Sequence, residues 1–172
     1  MGELKMYMTV RHIMKTGDCI LWQSRSVIGW LIRKFSRGNV NHASLVISLS
    51  EYGELKDRRF LLEALGEIEL RLLSKRLKKF SGKVWWLPLK DKYDAYRDRM
   101  GEWALLEIGV GYDYKSLFRN ILGHVSANAK EFFCSEYCFI GWKESGIPLT
   151  GKAPRPADIP KLDIFKKAIR IL

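Results

Sequence analysis

The chain has 172 residues, of which 47% are hydrophobic, and this composition predicts one folded domain over residues 1–172 and argues against disorder. Its net charge of +11 permits weak contact with an anionic polymer or lipid, but charge alone selects no partner. No apolar run reaches the roughly 18 residues that a transmembrane helix needs, and the first residues lack a signal-peptide pattern. We therefore expect a cytoplasmic protein without a transmembrane segment.

Short apolar runs between turn residues predict strands in the first half of the chain. The predicted strands are Cys19–Trp22, His42–Leu49, Arg59–Ala64, Glu67–Leu73 and Lys83–Leu89. In the second of these, alternation places His42 and Ser44 on one face and Ala43 and Leu45 on the other, which we expect to be the core side. Pro88 predicts that the last strand ends at a sheet edge.

Apolar residues at three- to four-residue spacing predict helices. These are Ser26–Phe35, the basic segment Leu73–Phe80, Tyr93–Ile108, Lys115–Leu122, and a last helix that opens near Glu131 and ends at Gly146. An antiparallel hairpin with partly segregated helices predicts the α+β class, an antiparallel sheet packed against helices.

Cys134 is the leading candidate for a nucleophile. It lies in the apolar run that opens the last helix, where unpaired backbone N–H groups and the helix dipole favour a thiolate. The alternative is a buried, inert thiol. Cys19 is a rival nucleophile because it also follows a turn and precedes a histidine. Three cysteines are an odd number without disulfide or zinc spacing, so we expect no metal and no cofactor, and Cys138 as a core residue.

A thiol enzyme also needs a base and a group that orients the base. His42 begins a predicted strand, and Glu63 lies on the strand expected to pair with it, so the three side chains can meet. Each has an alternative: His42 as a structural histidine, Glu63 as a partner of a surface cation. Arg71, Lys75, Arg76, Lys78 and Lys79 form a basic cluster that is typical of a solvated face or of a surface that docks an anion.

At these residues the sequence resembles the circularly permuted branch of the NlpC-type papain-like enzymes, the YiiX/YaeF-like proteins. The resemblance runs from Gly17 to Ile159. Its pieces, in order, are Gly17-Asp18, Asn41-His42, Leu62-Glu63-Ala64, Tyr112-Asp113-Tyr114, Cys134-Ser135-Glu136 and Pro156-Ala157-Asp158. Ala43-Ser44 departs from the Val-Gly that is more common after the histidine of that family.

The resemblance implies a cysteine peptidase or amidase that cleaves an amide in small peptides or murein-type peptide fragments. Cys134 would be the nucleophile, His42 the base and Glu63 its orienting group, and the Cys134 backbone N–H would serve an oxyanion hole. Tyr112, Asp113 and Ser135 would contact substrate, although Asp113 could equally cap a helix.

Two other functions stay open. One is a lipid acyltransferase or phospholipase of the lecithin–retinol acyltransferase type, whose His strand also precedes its Cys. The other is a basic binding protein with a vestigial site. Because no nucleic-acid-binding signature accompanies the positive charge, we expect no specific nucleic-acid partner.

Overall fold

A computed structural model describes residues 4–24, 39–64, 67–110 and 129–172. The helices are α1 (Lys5–Val10), α2 (Leu73–Lys78), α3 (Arg97–Leu106) and α4 (Ala129–Glu144). The strands are β1 (Cys19–Ser24), β2 (His42–Ser48), β3 (Arg59–Ala64), β4 (Ile68–Leu72), β5 (Gly82–Leu87) and β6 (Ile169–Arg170). Short 3-10 helices span Arg11–Ile13, Gly53–Leu55, Asp91–Tyr96 and Pro156–Lys161.

The strands described form one antiparallel sheet in the order β4-β3-β2-β1-β5-β6. The register between β2 and β3 pairs Leu45 with Leu62 and Val46 with Leu61. Because an antiparallel register runs in opposite directions on the two strands, Ser44 comes to lie opposite Glu63. The sheet thus brings the start of β2 next to the end of β3.

Both faces of the sheet are covered by apolar side chains. On one face, Ala43, Leu45 and Leu62 pack with α4, and we call this the α4 face. On the other face, Val46 and Leu61 pack with residues of α1 and α2, and we call this the α2 face. The expectation that Ala43 and Leu45 face a core is therefore confirmed, and a second core lies on the side where His42 and Ser44 were expected.

The α+β class is confirmed, and the five predicted strands are present with small shifts at their ends. Two differences concern the helix after β5 and the edge of the sheet, and a third, the start of α4, bears on the site described below. The helix predicted over Tyr93–Ile108 begins as the 3-10 helix Asp91–Tyr96 and becomes α3 only at Arg97. The edge placement of the last predicted strand is wrong, because β6 pairs with β5 and Pro88 lies just beyond β5. The predicted helices Ser26–Phe35 and Lys115–Leu122 lie outside the described residues.

The turn before β1 is organised by a buried carboxylate, Asp18. Gly17 precedes it with φ 90°, a conformation that costs a residue with a Cβ but not glycine. The two oxygens of Asp18 accept hydrogen bonds from Lys15 N at 3.0 Å, Trp86 Nε1 at 2.8 Å and Leu89 N at 3.0 Å. Arg97 Nη1 adds an ion pair at 2.9 Å, which ties α3 to the sheet.

Candidate active site

His42 and Glu63 form a buried pair at the end of the sheet. The ring Nε2 of His42 lies 2.8 Å from Glu63 Oε1, and the Glu63 side chain is fully buried while that of His42 is 13% exposed. The pairing follows from the register. Glu63 on β3 lies opposite Ser44, which is two residues after His42 on β2, and the side chains of His42 and Glu63 both point to the α2 face. The structure therefore brings together the base and the orienting carboxylate that the sequence predicted.

Ser44 and Trp22 complete the surroundings of Glu63 Oε1. The hydroxyl of Ser44 donates to Oε1 at 3.0 Å, and the Trp22 Nε1–H donates to Ser44 Oγ at 2.8 Å. Since β1 pairs Trp22 with His42, the indole lies beside the histidine on the neighbouring strand. Ser44 thus acts as a buried bridge whose own oxygen is satisfied by the indole, and it restricts where Glu63 can point.

The second oxygen of Glu63 is bound by Arg76 of α2. Arg76 Nε lies 3.2 Å from Oε2, and the arginine side chain is 26% exposed. The Arg76 guanidinium carbon also lies 5.0 Å from the centre of the Trp22 ring and 5.5 Å from that of Phe80. Both oxygens of the carboxylate therefore have donors, as a buried charge requires.

Cys134 lies on α4, whose buried face is formed by residues spaced one turn apart: Cys134, Tyr137, Cys138 and Trp142. This face packs on the α4 face of the sheet, and Trp142 Nε1 donates to Gly17 O at 3.0 Å. The Ala43 N–H points at Cys134 Sγ with N···S 3.4 Å. The thiol is therefore held against the first residues of β2.

The position of Cys134 within its helix differs from the prediction. Because α4 already includes Ala129, Cys134 is in its second turn, and its N–H is paired within the helix with the carbonyl of the fourth residue before it. The expected help from helix-start N–H groups, and the expected oxyanion role of the Cys134 N–H, are wrong for this arrangement. The Ala43 N–H, from the neighbouring strand, is the donor that reaches the sulfur.

His42 connects the thiol to the carboxylate across the end of the sheet. As the first residue of β2, it has its partner Glu63 on the α2 face, and its ring also hydrogen-bonds the Cys134 side chain on the α4 face. Since Nε2 is committed to Glu63, we assign Nδ1 to the thiol. The three residues form a continuous Cys134–His42–Glu63 series.

Charge explains the titration of the pair. Burial lowers the pKa of His42, but the charge and hydrogen bond of Cys134, together with Glu63, outweigh it and raise the pKa from 6.5 to about 10. Burial raises the pKa of Glu63, but His42, Arg76 and Ser44 outweigh it and lower the pKa from 4.5 to about 2. At neutral pH the imidazole is therefore protonated and the carboxylate ionised.

These shifts predict how the pair affects stability with pH. Because the pKa of Glu63 is lowered, its carboxylate stabilises the fold above pH 4.5, and this stabilisation is lost as the pH falls towards about 2. Because the pKa of His42 is raised, its imidazolium stabilises the fold below pH 6.5, and this stabilisation is lost as the pH rises towards about 10. We expect Glu63→Gln to lower the free energy of unfolding by about 2 kcal/mol between pH 4.5 and pH 6.5, and by less below or above that range. Urea denaturation across the pH range measures this, and a difference that does not vary with pH would contradict it.

The remaining predicted site residues fall in two groups. Ser135 is fully buried beside Cys134 on α4, and Tyr112 and Asp113 lie outside the described residues. The rival thiol Cys19 is also fully buried, on β1, and hydrogen-bonds Cys138 rather than standing next to the His42–Glu63 pair. Burial first, then Cys19, raises the pKa of Cys138, which suits its expected place in the core.

Three residues of the site were not expected from the sequence: Ser44, Arg76 and Trp22. From the sequence, Ser44 shares a strand face with His42 and departs from the family pattern, but neither observation gives it a role, and Arg76 is simply one member of the basic cluster. A signal for Arg76 existed, because Leu73 and Leu77 at one-turn spacing predict which face of α2 is buried, and Arg76 shares that face at three residues from Leu73.

No family model matches this sequence, and no curated protein sequence matches it. Among solved structures, the metalloprotein YiiX from Escherichia coli is similar to this chain with a TM-score of 0.54. The similarity covers 91% of this chain and 96% of that one at 15% sequence identity. The chain has a YiiX-like fold. At this level of identity the similarity concerns the fold and does not extend to an activity.

The solved YiiX structure is that of a metalloprotein. Across residues 4–24, 39–64, 67–110 and 129–172, no group of three or more His, Cys, Asp and Glu side chains is placed to hold a metal ion. Within the same ranges, no helix is both long and apolar enough to cross a bilayer.

Proposed function

We propose that the protein is a thiol hydrolase of the circularly permuted papain-like type, which cleaves an amide bond in small peptides or murein-type peptide fragments. The observation that carries this proposal is the series in which His42 hydrogen-bonds both the Cys134 side chain and the buried Glu63 carboxylate. A thiol, an imidazole and an orienting carboxylate in contact are the parts that a cysteine hydrolase uses. The order of the chain, with the His strand before the Cys helix, supports the permuted type.

In the first half of the reaction, the Cys134 sulfur attacks the carbonyl carbon of the scissile amide. The C–S bond forms, and the carbonyl electron pair moves to oxygen. When the tetrahedral intermediate collapses, the C–N bond breaks and the protonated His42 ring gives its proton to the departing amine. The products of this half are a free amine and an acyl group joined to Cys134 as a thioester.

In the second half, the now neutral His42 takes a proton from water as the water oxygen attacks the thioester. The C–S bond breaks, a carboxylic acid leaves, and sulfur and imidazolium are restored. Glu63 takes no proton in either half, because its donors keep it ionised. It holds the ring in place and stabilises its positive charge.

The burial of the nucleophile constrains how substrate arrives. Cys134 is 1% exposed, so a carbonyl carbon reaches the sulfur only when neighbouring groups move aside. A sulfur this deeply buried favours small substrates over folded proteins, which agrees with the proposed substrate class. The Ala43 N–H, whose nitrogen lies 3.4 Å from the sulfur, is a backbone donor close enough to serve a developing oxyanion.

The proposal is tested by offering the purified protein a library of short peptides and murein peptide fragments, with Cys134→Ala as the control. We expect Cys134-dependent release of new amino termini, detected by mass spectrometry. Phospholipid vesicles form a separate arm of the same experiment. Cys134-dependent release or transfer of fatty acid, with peptides left intact, would instead establish the acyltransferase or phospholipase alternative.

A further inference from the structure

Glu63 is held by a closed set of contacts that the Cys134–His42 chemistry does not itself explain. Its Oε1 accepts from His42 and Ser44, and its Oε2 accepts from Arg76. Trp22 takes part twice, since its N–H orients Ser44 and its ring lies under the Arg76 guanidinium. Each member of this set restrains the next.

The placement of Arg76 follows from the way α2 packs. The helix starts directly after β4, and its two leucines, Leu73 and Leu77, are buried on the α2 face of the sheet. Arg76 lies between them on the same side of the helix, whereas Lys75 and Lys78 are exposed. Packing therefore turns one cation of the basic cluster inward and leaves its neighbours in solvent.

Two aromatic rings fix the orientation of the guanidinium. Trp22 and Phe80 meet edge to face with ring centres 4.8 Å apart, and the Arg76 guanidinium carbon lies over both rings. A planar guanidinium stacks on aromatic rings and directs its N–H groups along fixed lines, which the ammonium of lysine does not do. One of these N–H groups points at Glu63 Oε2.

We propose that Arg76 is a positioning residue of the active site, which holds the Glu63 carboxylate ionised and in line with His42. This inference rests on the proposed hydrolase function. The other charged groups near Glu63 do not replace Arg76. On β4, Glu69 is in register with Glu63 and carries the same charge, and Arg71 donates two hydrogen bonds to Glu69 Oε2, at 2.8 Å and 2.6 Å.

Without Arg76, Glu63 keeps the desolvation of its buried site and the nearby Glu69, and loses one of the partners that lower its pKa. The carboxyl then takes up a proton at a higher pH than in the native protein. A protonated Glu63 can still accept a hydrogen bond but no longer offsets the charge of the imidazolium, so the charged His42 ring beside Cys134 is less stable at mildly acid pH. Loss of Arg76 is thus felt at the thiol through two intermediate residues.

The test compares Arg76→Met, which keeps an unbranched apolar stem but removes the guanidinium and its charge, with Arg76→Lys. Lys78→Met is the matched control from the exposed side of α2. The first measurement is the rate of Cys134 alkylation by iodoacetamide between pH 3 and 8, with sites identified by peptide mapping. We expect Arg76→Met to move the acid limb of this profile to higher pH, Arg76→Lys to move it less, and Lys78→Met to leave it unchanged.

The second measurement is turnover of the best peptide from the library. For Arg76→Met we expect kcat to fall about ten- to a hundredfold with KM within about twofold, because orientation of the base is lost and substrate contacts are not. An acid limb that stays in place in a folded Arg76→Met protein overturns the proposal, even if activity falls. The alkylation profile needs no substrate, so it judges Arg76 separately, whereas absence of any Cys134-dependent cleavage counts against the hydrolase function.

Discussion

Alanine in place of Cys134 and alanine in place of His42 are each expected to lower kcat/KM about ten-thousandfold, and the double variant is expected to be no worse than either. The physical reason is that the two residues act as one unit. Without the imidazolium the thiolate loses its counter-charge, and without the sulfur the imidazole has no proton to exchange. The effects of such residues do not multiply.

The measurement is kcat/KM of the two single variants and the double variant with the best peptide of the library. Cys138→Ala is the matched control, because it removes another fully buried thiol one turn further along α4. This control should keep nearly all activity. Losses that multiply in the double variant would show that Cys134 and His42 serve independent steps and would contradict the mechanism.

Asp18→Ala is expected to destabilise the fold by about 3–5 kcal/mol, because it removes the buried one of the two carboxylates, Asp18 and Asp94, that pair with the Arg97 guanidinium. Asp18 is 1% exposed and Arg97 7% exposed, so solvent does not readily hydrate either group when the other is removed. The substitution also removes the carboxylate oxygens that accept hydrogen bonds from the N–H groups of Lys15, Trp86 and Leu89. We expect the loss to exceed that of any surface substitution in this chain.

Urea denaturation at pH 7 measures the change. The control is Asp163→Ala, which removes a carboxylate that is 87% exposed and pairs with Lys90 at the surface. This control should leave the denaturation midpoint almost unchanged, because solvent screens exposed pairs. If Asp18→Ala proved as mild as Asp163→Ala, the buried contacts of Asp18 would not be what holds the turn before β1.

Periodicity in the sequence predicted the strands and the hairpin between β2 and β3, and these were enough to place Glu63 beside His42. It did not predict that both faces of the sheet are buried. Alternation along β2 is weak for that reason: Val46 and Leu45 are both core residues, on opposite faces. A strand between two cores does not display the polar face from which burial is usually inferred.

The parts of the site that could not be predicted depend on packing between elements far apart in the chain. The basic cluster from Arg71 to Lys79 holds two arginines and three lysines, and residue type alone does not single out Arg76 among them. Arg76 is selected because Leu73 and Leu77 pack inward and Trp22, more than fifty residues earlier in the printed sequence, offers its ring. The sequence interpretation places the start of α4 near Glu131, whereas the helix already includes Ala129.

The sheet separates the site into two territories. Cys134 lies on the α4 face, Glu63 and Arg76 lie on the α2 face, and His42 joins them at the strand end. In directed evolution, the positions on the α4 face and those on the α2 face could therefore be varied separately. Under the proposed hydrolase function, changes around α4 would alter which substrates are bound, and changes around Trp22, Ser44 and Arg76 would shift the pH dependence of activity. A library of substitutions confined to one face should therefore change either substrate preference or pH dependence and leave the other property unchanged.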